Sequence, residues 1–367
     1  MKLRNKLFAV KNPYDSTQSE LFLDACKENF EYLYSHCDDY KKIANGLGIK
    51  GKEDIKSVSD LPVIPTMLFK QHDFRSGPYL VMATSSGTSG KFSKIRFDFG
   101  ALLKALKMSL KITRHHDVLS TKPCRYIVMG YKPHRSNKTA VTKTAYLTTF
   151  LAPAVSRKFI LQHTPDGYKP DFDGIIDALK KYENGRFPVR FMGFPSYTFF
   201  LFQILEERGI SLKLPEGSKI LLGGGWKQFY REAADKETFY KLAYKTLGIK
   251  EENITEFFGA VEHPILYTDC PKHHFHVPVY SNIVIRDPDT LEPLDNGKVG
   301  LVNLITPIAK ATPILSVMTD DLGVLHGSSE CDCGCQAPYL EIIGRVAPEN
   351  IKTCAAGASD ILKGVSL

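Results

Sequence analysis

Thr84-Ser-Ser-Gly-Thr-Ser-Gly-Lys-Phe-Ser-Lys94 is the stretch from which the rest of this chain can be read. Gly87 and Gly90 let a backbone take up positive φ and approach a ligand closely. Thr84, Ser85, Ser86, Thr88 and Ser89 supply hydroxyls, and the amides of such a turn can converge on an anion. Lys91 and Lys94 add positive charge, with Lys94 placed to neutralise a reacting phosphate. This is a chemistry for holding a polyphosphate. The spacing is not that of a Walker A loop, G-x-x-x-x-G-K-[ST]. The alternative reading is a Ser/Gly-rich surface loop.

Working outward, Tyr79–Thr84 reads as a short strand that delivers the loop, and Ala101–Ile112 as a helix just after it. Residues 15–45 read as helical, with Phe22, Cys26, Phe30 and Tyr34 at four-residue steps. Arg125–Gly130, Val189–Met192 and Lys219–Leu222 read as buried strands, with helices at Asp173–Tyr182, at Tyr197–Arg208 and from Glu232 onward. Strands alternating with helices predict a largely parallel sheet. Val277–Ile285, Gly300–Thr306 and Ile314–Thr319 read as short strands of a smaller β-rich part. The expected fold class is therefore α/β.

The chain has 367 residues, 43% hydrophobic and 24% charged, which is ordinary for a globular protein. Its net charge of +8 comes from scattered rather than blocked basic residues, so no nucleic-acid partner is expected. No apolar run reaches membrane-spanning length, and Leu7–Val10 is too short for a secretory signal. The expected location is cytoplasmic, with the eight cysteines reduced or metal-bound.

Several later segments carry chemistry. Gly223-Gly-Gly225 closes a strand and leaves room for a flat ligand, or is a flexible turn, with Trp226 beside it as a core cap. Phe257-Phe258-Gly259-Ala-Val-Glu262 and Thr319-Asp-Asp-Leu322 follow, the latter expected just after a strand. The two acceptor oxygens of a carboxylate suit a vicinal diol, while Asp320 is otherwise read as a solvated turn residue. Gly344-Arg345 offers a guanidinium suited to phosphate or ribose. Cys270-Pro-Lys-His-His-Phe-His276 and Cys331-Asp-Cys333-Gly-Cys335 bring together zinc-type ligands; the alternative is a group of reduced cysteines on a turn.

The Ser/Gly loop, aromatic-Gly-x-x-Glu, Thr-x-Asp and Gly-Arg occur in the order found in the adenylate-forming (ANL) enzymes, over residues 84–345. The chain resembles them, and within them the LuxE-type acyl-protein synthetases of bacterial luciferase operons. Total length, Pro62-Val-Ile-Pro65 with Phe69-Lys70, and Gly223-Gly-Gly-Trp-Lys227 carry that closer likeness. It implies a large, mostly parallel-sheet core over residues 1–344, with a β-rich part at about 265–344. The usual mobile C-terminal domain is expected to be essentially absent, leaving a short tail at 345–367. It implies ATP and Mg²⁺, with Glu262 serving magnesium and phosphates, Phe258 and Gly259 beside the adenine, and Asp321 on the ribose. Val261 departs from the family's hydroxyl residue.

The reaction implied is activation of a small-molecule carboxylic acid, a fatty acid by resemblance, to an acyl adenylate, then acyl transfer to a protein thiol. Cys354 matches the family's acceptor near the C-terminus, with Lys352 able to favour the thiolate; otherwise it is a small residue of a final helix. An acyl reductase or acyl carrier is the implied partner. The phenylacetate–coenzyme A ligase-like branch carries a similar C-x5-H…C-x-C site. By that likeness structural zinc would sit on Cys270, His276, Cys331 and Cys333, with Cys335, His273 and His274 as alternates. Phe191–Phe202 reads as an acyl tunnel or as core. Two other functions stay open: an acid–coenzyme A or acyl-carrier ligase, and a non-catalytic nucleotide-binding scaffold.

Overall fold

The computed structural model describes residues 2–85, 92–135, 137, 140–226, 229 and 234–345. The chain divides into two compact units, one formed by residues 1–112 with 259–367 and the other by 113–258. In chain order the first stretch holds α1 (Leu3–Leu7), α2 (Ser19–His36), α3 (Asp38–Gly46), β1 (Ile64–Pro65), α4 (Thr66–Gln71), β2 (Val81–Thr84), β3 (Lys94–Phe97) and α5 (Phe99–His115). Next come β4 (Cys124–Tyr131), α6 (Ala140–Thr148), β5 (Ala154–Thr164), β6 (Gly167–Pro170), α7 (Phe172–Glu183), β7 (Val189–Gly193), α8 (Pro195–Glu207), β8 (Lys219–Gly223), α9 (Lys236–Leu247) and β9 (Ile254–Ala260). The last stretch adds β10 (His263–Thr268), β11 (Phe275–His276), β12 (Asn282–Arg286), β13 (Gly300–Ile305), β14 (Ser316–His326) and β15 (Tyr339–Arg345).

The unit of residues 113–258 is the parallel one. Its strands lie in the order β6-β5-β4-β7-β8-β9. Every pairing from β5 to β9 is parallel, and β6 returns antiparallel on β5. β4 and β8 are near-continuous apolar runs because a sheet covered by helices is buried on both faces. Ile127, Phe191, Phe202, Ile220 and Leu247 join one core that the helices cover. Asp171 caps α7 by accepting from the Gly174 amide, and Asp235 caps α9 by accepting from Thr238. Pro195 sits in the first turn of α8, where its missing N–H costs nothing, and Gly248 ends α9 at φ +67°. The helix expected from Glu232 onward is described from Lys236, and Glu232 lies outside the described residues.

The parallel strands, numbered by chain order, run 2-1-3-4-5, so the switch point lies between β4 and β7. Gly193 ends β7 there at φ +136°, where a Cβ would stand 2.5 Å from the Met129 carbonyl oxygen. The Phe194 amide donates to that same carbonyl at 2.9 Å.

In the other unit the sheet order is β11-β15-β14-β13-β12, antiparallel throughout, with β1 added parallel to β14. Two expectations change. The strand read at Ile314–Thr319 runs on to His326, so Thr319-Asp-Asp321 lies within β14, at the irregularity where pairing with β13 shifts register between Leu301 and Asn303 and where pairing with β15 begins at Asp321. The strand read at Val277–Ile285 begins only at Asn282. Residues before it make irregular bonds instead: the Val277 amide donates to the Pro338 carbonyl and the Val279 amide to the Pro13 carbonyl. The helical stretch at 15–45 is interrupted at Cys37, whose extended φ of −139° separates α2 from α3. Phe22, Cys26, Phe30 and Leu33 form the buried stripe of α2. Arg4 is buried, donates to the Pro307 and Ile308 carbonyls, and thereby ties α1 to the approach of β14; burial pulls its pKa down.

Gly193→Ala is expected to destabilise the protein by about 3 kcal/mol or more, through backbone contact that no rotamer relieves. Gly209→Ala, at φ +64° with open space around it, is expected to cost only ~1 kcal/mol. Urea unfolding of both variants checks this, and equal losses would remove the close approach at Met129 as the cause.

Candidate functional site

The Ser/Gly loop is flanked in sequence by two paired strands. β2 pairs antiparallel with β3, placing Thr84 opposite Lys94 and Val81 opposite Phe97. The Ser85 amide donates to the Ser93 carbonyl, and the Ser93 amide donates to Ser85 Oγ at 3.0 Å. Ser86, Gly87, Thr88, Ser89, Gly90 and Lys91 lie outside the described residues, and Lys94 is exposed at the start of β3. Arg96 anchors the hairpin. Its guanidinium donates both ways to Asp73, at 2.7 and 2.8 Å, and its amide donates to Thr312 Oγ1. The hydrogen bonds from Arg96 hold the Asp73 carboxyl below its ordinary range. No feature of the loop itself pointed to this pair; a buried arginine needs a partner, and only the fold says which.

β1 and α4 bring Pro62-Val-Ile-Pro65 and Phe69-Lys70 to β14. Ile64 and Pro65 pair with Val317 and Met318, and Thr66 Oγ1 donates to Asp320 Oδ1 at 3.2 Å. Asp320 is thus a buried strand residue and not a solvated turn residue, because the strand runs through it and Thr66 takes one of its oxygens. Asp321 is half-buried, and its amide donates to Thr319 Oγ1 at 3.1 Å. Across the ladder Asp321 is the partner of Arg345. Two candidates read from separate motifs, twenty-odd residues apart, therefore share one pairing register.

Glu262 is buried in the turn that follows β9. Gly259, just before it, has space for a Cβ only at 3.1 Å from the Ile265 carbonyl oxygen. Phe258, in β9, is half-buried. His263 comes straight after Glu262 and was not legible in the sequence. It is wholly buried, with Nε2 3.0 Å from Ser281 Oγ and 3.2 Å from Tyr267 Oη, and these two hydroxyls bond each other. Its Nδ1 is buried without a hydrogen-bond partner among the described residues. Burial drives its pKa down to about 3, so the imidazole is neutral.

In the parallel unit Gly223 ends β8, and Gly224 and Gly225 follow at φ +85° and +65°. A Cβ on Gly225 would meet nothing within 4 Å. Two successive left-handed residues turn the chain sharply and leave this main chain open on one side. Trp226 is half-buried and meets Phe199 edge-on at 5.6 Å, so it packs against the core as a cap. Phe191, Phe199, Leu201 and Phe202 are buried in that same core, so the core reading of Phe191–Phe202 holds for them.

The cysteine and histidine segments meet. The ligand atoms of Cys270, His276, Cys331 and Cys333 all lie within 4.8 Å of one another. Cys270 Sγ is 3.8 Å from Cys331 Sγ, and Cys333 Sγ is 3.1 Å from His276 Nε2. β11 pairs with β15, setting His276 opposite Tyr339, while Gly334 at φ +83° turns the Cys331–Cys335 segment back. His276 Nδ1 faces the Ala337 carbonyl at 2.7 Å, which fixes the tautomer that leaves Nε2 a lone pair toward the thiols. The Lys272 and Cys335 amides donate to Cys270 Sγ and Cys333 Sγ. Burial beside other thiols pushes the Cys331 pKa up, so negative sulfur is costly there unless a cation shares the site. A soft divalent cation in tetrahedral coordination fits this donor set. Of the alternates, His274 Nδ1 lies 3.2 Å from Cys331 Sγ and its ring stacks on Tyr339, while His273 is turned to Asp269. Cys354 lies outside the described residues.

A profile of the family described as "Acyl-protein synthetase, LuxE" matches residues 9–363. The long-chain-fatty-acid–luciferin-component ligase of Aliivibrio fischeri is 24% identical over 362 residues, covering 94% of this chain and 90% of that one. The phenylacetate–coenzyme A ligase of Thermus thermophilus is 29% identical over 147 residues, 38% of this chain and 30% of that one. Among solved structures, an open conformation of 2-hydroxyisobutyryl-CoA ligase with its adenylate and CoA superposes with a TM-score of 0.66 at 14% identity. It covers 91% of this chain and 76% of that one, and establishes the adenylate-forming fold.

The buried imidazole gives the site an acid sensitivity. The folded protein keeps His263 neutral down to about pH 3, whereas the unfolded chain takes up the proton below ~6.5. Stability from this residue is therefore present above that value and lost as pH falls, by about 2 kcal/mol at pH 5. His263→Gln should shrink the loss of stability between pH 7 and pH 5 by that amount in urea titrations; an unchanged difference would show that His263 is not the group responsible.

Proposed function

The chain belongs to the LuxE acyl-protein synthetase family, and from that premise we propose that it activates a long-chain fatty acid with ATP and transfers the acyl group to its own Cys354. The observation that carries this reading is the family match over residues 9–363, which takes in both the Ser/Gly loop and Cys354. In the first half-reaction the substrate carboxylate attacks the α-phosphorus of ATP, giving acyl adenylate and pyrophosphate. In the second, the Cys354 sulfur attacks the acyl carbon; the thiol proton is lost to solvent and AMP leaves with the bonding pair. Splitting one difficult acylation into two displacements is the gain of covalent catalysis.

The residues have the following roles in this reading. The amides and hydroxyls of the Ser85–Gly90 turn cradle the phosphates, with Thr84 at its base and Lys91 and Lys94 neutralising charge that grows on pyrophosphate. Arg96 on Asp73 anchors the strand that follows the loop. Asp321 accepts from the ribose hydroxyls, and Arg345, its partner across β14 and β15, serves ribose or phosphate. Phe258, Gly259 and the open main chain at Gly223–Gly225 take the flat base. Glu262 holds Mg²⁺, which when bound would screen the phosphates. The acyl thioester is then available to an acyl reductase or an acyl carrier.

The thiol–imidazole cluster is read as a structural zinc site on Cys270, His276, Cys331 and Cys333. Four protein ligands close the coordination sphere, so the ion supplies stability and no chemistry. Protein prepared without chelator is expected to contain one zinc per chain by plasma mass spectrometry. Cys331→Ser should lose the metal and about 3 kcal/mol or more of stability, since binding and folding are coupled. Metal-free wild-type protein with unaltered melting would refute this role.

Intact-mass analysis after incubation with ATP, Mg²⁺ and a panel of fatty and aromatic acids tests the ligase reading. A hydroxylamine-sensitive acyl adduct is expected on wild type. Cys354→Ser should keep pyrophosphate release within about twofold and lose the adduct, while Glu262→Gln should slow release by roughly a hundredfold. An adduct retained by Cys354→Ser would overturn the acceptor assignment. Release without any adduct would mean that an external thiol takes the acyl group.

A further inference from the structure

Helix α5 is apolar on two faces. Ala101, Met108 and Ile112 point inward and are buried. On the outer side Phe99 is 66% exposed, Leu103 38%, Leu106 59% and Leu110 41%. Spacings of four, three and four residues put these side chains in one stripe along the helix. A surface helix normally turns polar residues outward, and this one turns large hydrocarbon groups to solvent instead. The hairpin that leads into α5 does the same, with Leu80 63%, Val81 39%, Met82 43% and Phe92 49% exposed.

Charge decides what such a face can take. Phe-Gly-Ala-Leu-Leu-Lys-Ala-Leu-Lys-Met-Ser-Leu-Lys-Ile-Thr-Arg-His contains Lys104, Lys107, Lys111 and Arg114 and no carboxylate. Lys111 donates to the Phe8 and Val10 carbonyls, and Lys104 is half-buried. Lys107 and Arg114 are exposed along the helix that carries the stripe. A second copy of this helix would bring these cations against each other, which disfavours self-association. The complement must be apolar inside and anionic outside. A partner helix would be expected to find a groove, but this stripe is the outer side of a helix, and further exposed apolar residues sit on a separate element. A fluid interface with anionic headgroups accepts both: leucine and phenylalanine enter the acyl boundary while lysine and arginine stay among the headgroups.

We propose that the outer face of α5, Phe99-Leu103-Leu106-Leu110 with Lys107 and Arg114, binds the surface of a lipid bilayer rich in anionic headgroups. No described helix is long and apolar enough to cross a membrane, so the attachment is peripheral. On the ligase reading above, this would hold the enzyme where a long-chain acid is most concentrated. The binding itself requires neither ATP nor acid, so the two readings fail separately.

Flotation with vesicles of phosphatidylglycerol and phosphatidylcholine in equal parts, against vesicles of phosphatidylcholine alone, tests the proposal in the absence of substrate. Wild type should partition at least about tenfold more strongly onto the anionic vesicles, and less so as salt rises. L103E/L106E should lose that binding. K107E/R114E, at two exposed positions, should weaken it and flatten its salt dependence, and it keeps the test decisive if the leucine variant fails to fold. Circular dichroism and pyrophosphate release with a soluble acid establish that the variants are intact. Failure of wild type to bind anionic vesicles, or equal binding by K107E/R114E, would overturn the proposal. So would a dimer in analytical ultracentrifugation that K107E/R114E leaves intact and the leucine variant dissolves, which would give the face to a second copy. Salt-sensitive binding to an acidic amphipathic peptide with none to vesicles would give it to a protein partner.

Discussion

The register of β14 against β15 is the constraint on which the chemistry of the antiparallel unit depends. Side chains alternate faces along a strand, so a slip of one residue would move every one of them to the opposite side. In the observed register Asp321 faces Arg345 across the ladder, and five pairs further on His326 faces Tyr339, at the entry to the cysteine segment. A bulge between Leu322 and Gly323 lies between these two ends. Gly323 is held there because a Cβ would stand 2.7 Å from the Glu341 carbonyl oxygen. Asp321 is set by its pairing with β15, and Asp320, at the irregularity opposite β13, is held by Thr66 at the start of α4.

The thiol–imidazole cluster works on the same ladder from its other end. It joins Cys270–His276 to Cys331–Cys333, segments about sixty residues apart in sequence, and β11 on β15 aligns them. Burying Cys331 without a shared cation leaves a thiol that resists ionisation. The amide donors to Cys270 and Cys333 and the carbonyl on His276 Nδ1 are the outer contacts that orient such ligands. Stability from the cluster would therefore act on the register that positions Asp321 and Arg345.

The parallel unit solves a different problem. Its central strands β4, β7 and β8 are buried on both faces, so their backbone groups are satisfied in the ladder. Gly193 permits the tight approach at β4, and Gly224 and Gly225 open the main chain after β8. The two left-handed glycines after β8 leave the main chain bare at that end of the sheet.

The sequence alone was enough for the alternation of strands and helices, since apolar runs of five or so residues and four-residue stripes are local signals. It was also enough to single out the Ser/Gly loop and the Thr-x-Asp and Gly-Arg segments as candidates, and to name the thiol and imidazole groups that the fold brings together. What it could not supply was anything decided by pairing over long separations. That β14 runs through Asp320 and on to His326 and that Asp321 lies opposite Arg345 follow from backbone hydrogen bonds between distant segments, and that Arg96 is clamped by Asp73 follows from a side-chain pairing that only the fold brings about. His263 with Ser281 and Tyr267 was invisible for the same reason: a lone histidine carries no signature until burial removes its water. The outward leucines of α5 satisfy the same periodicity as core residues, and only the tertiary structure, by covering one face of the helix and leaving the other bare, distinguishes them.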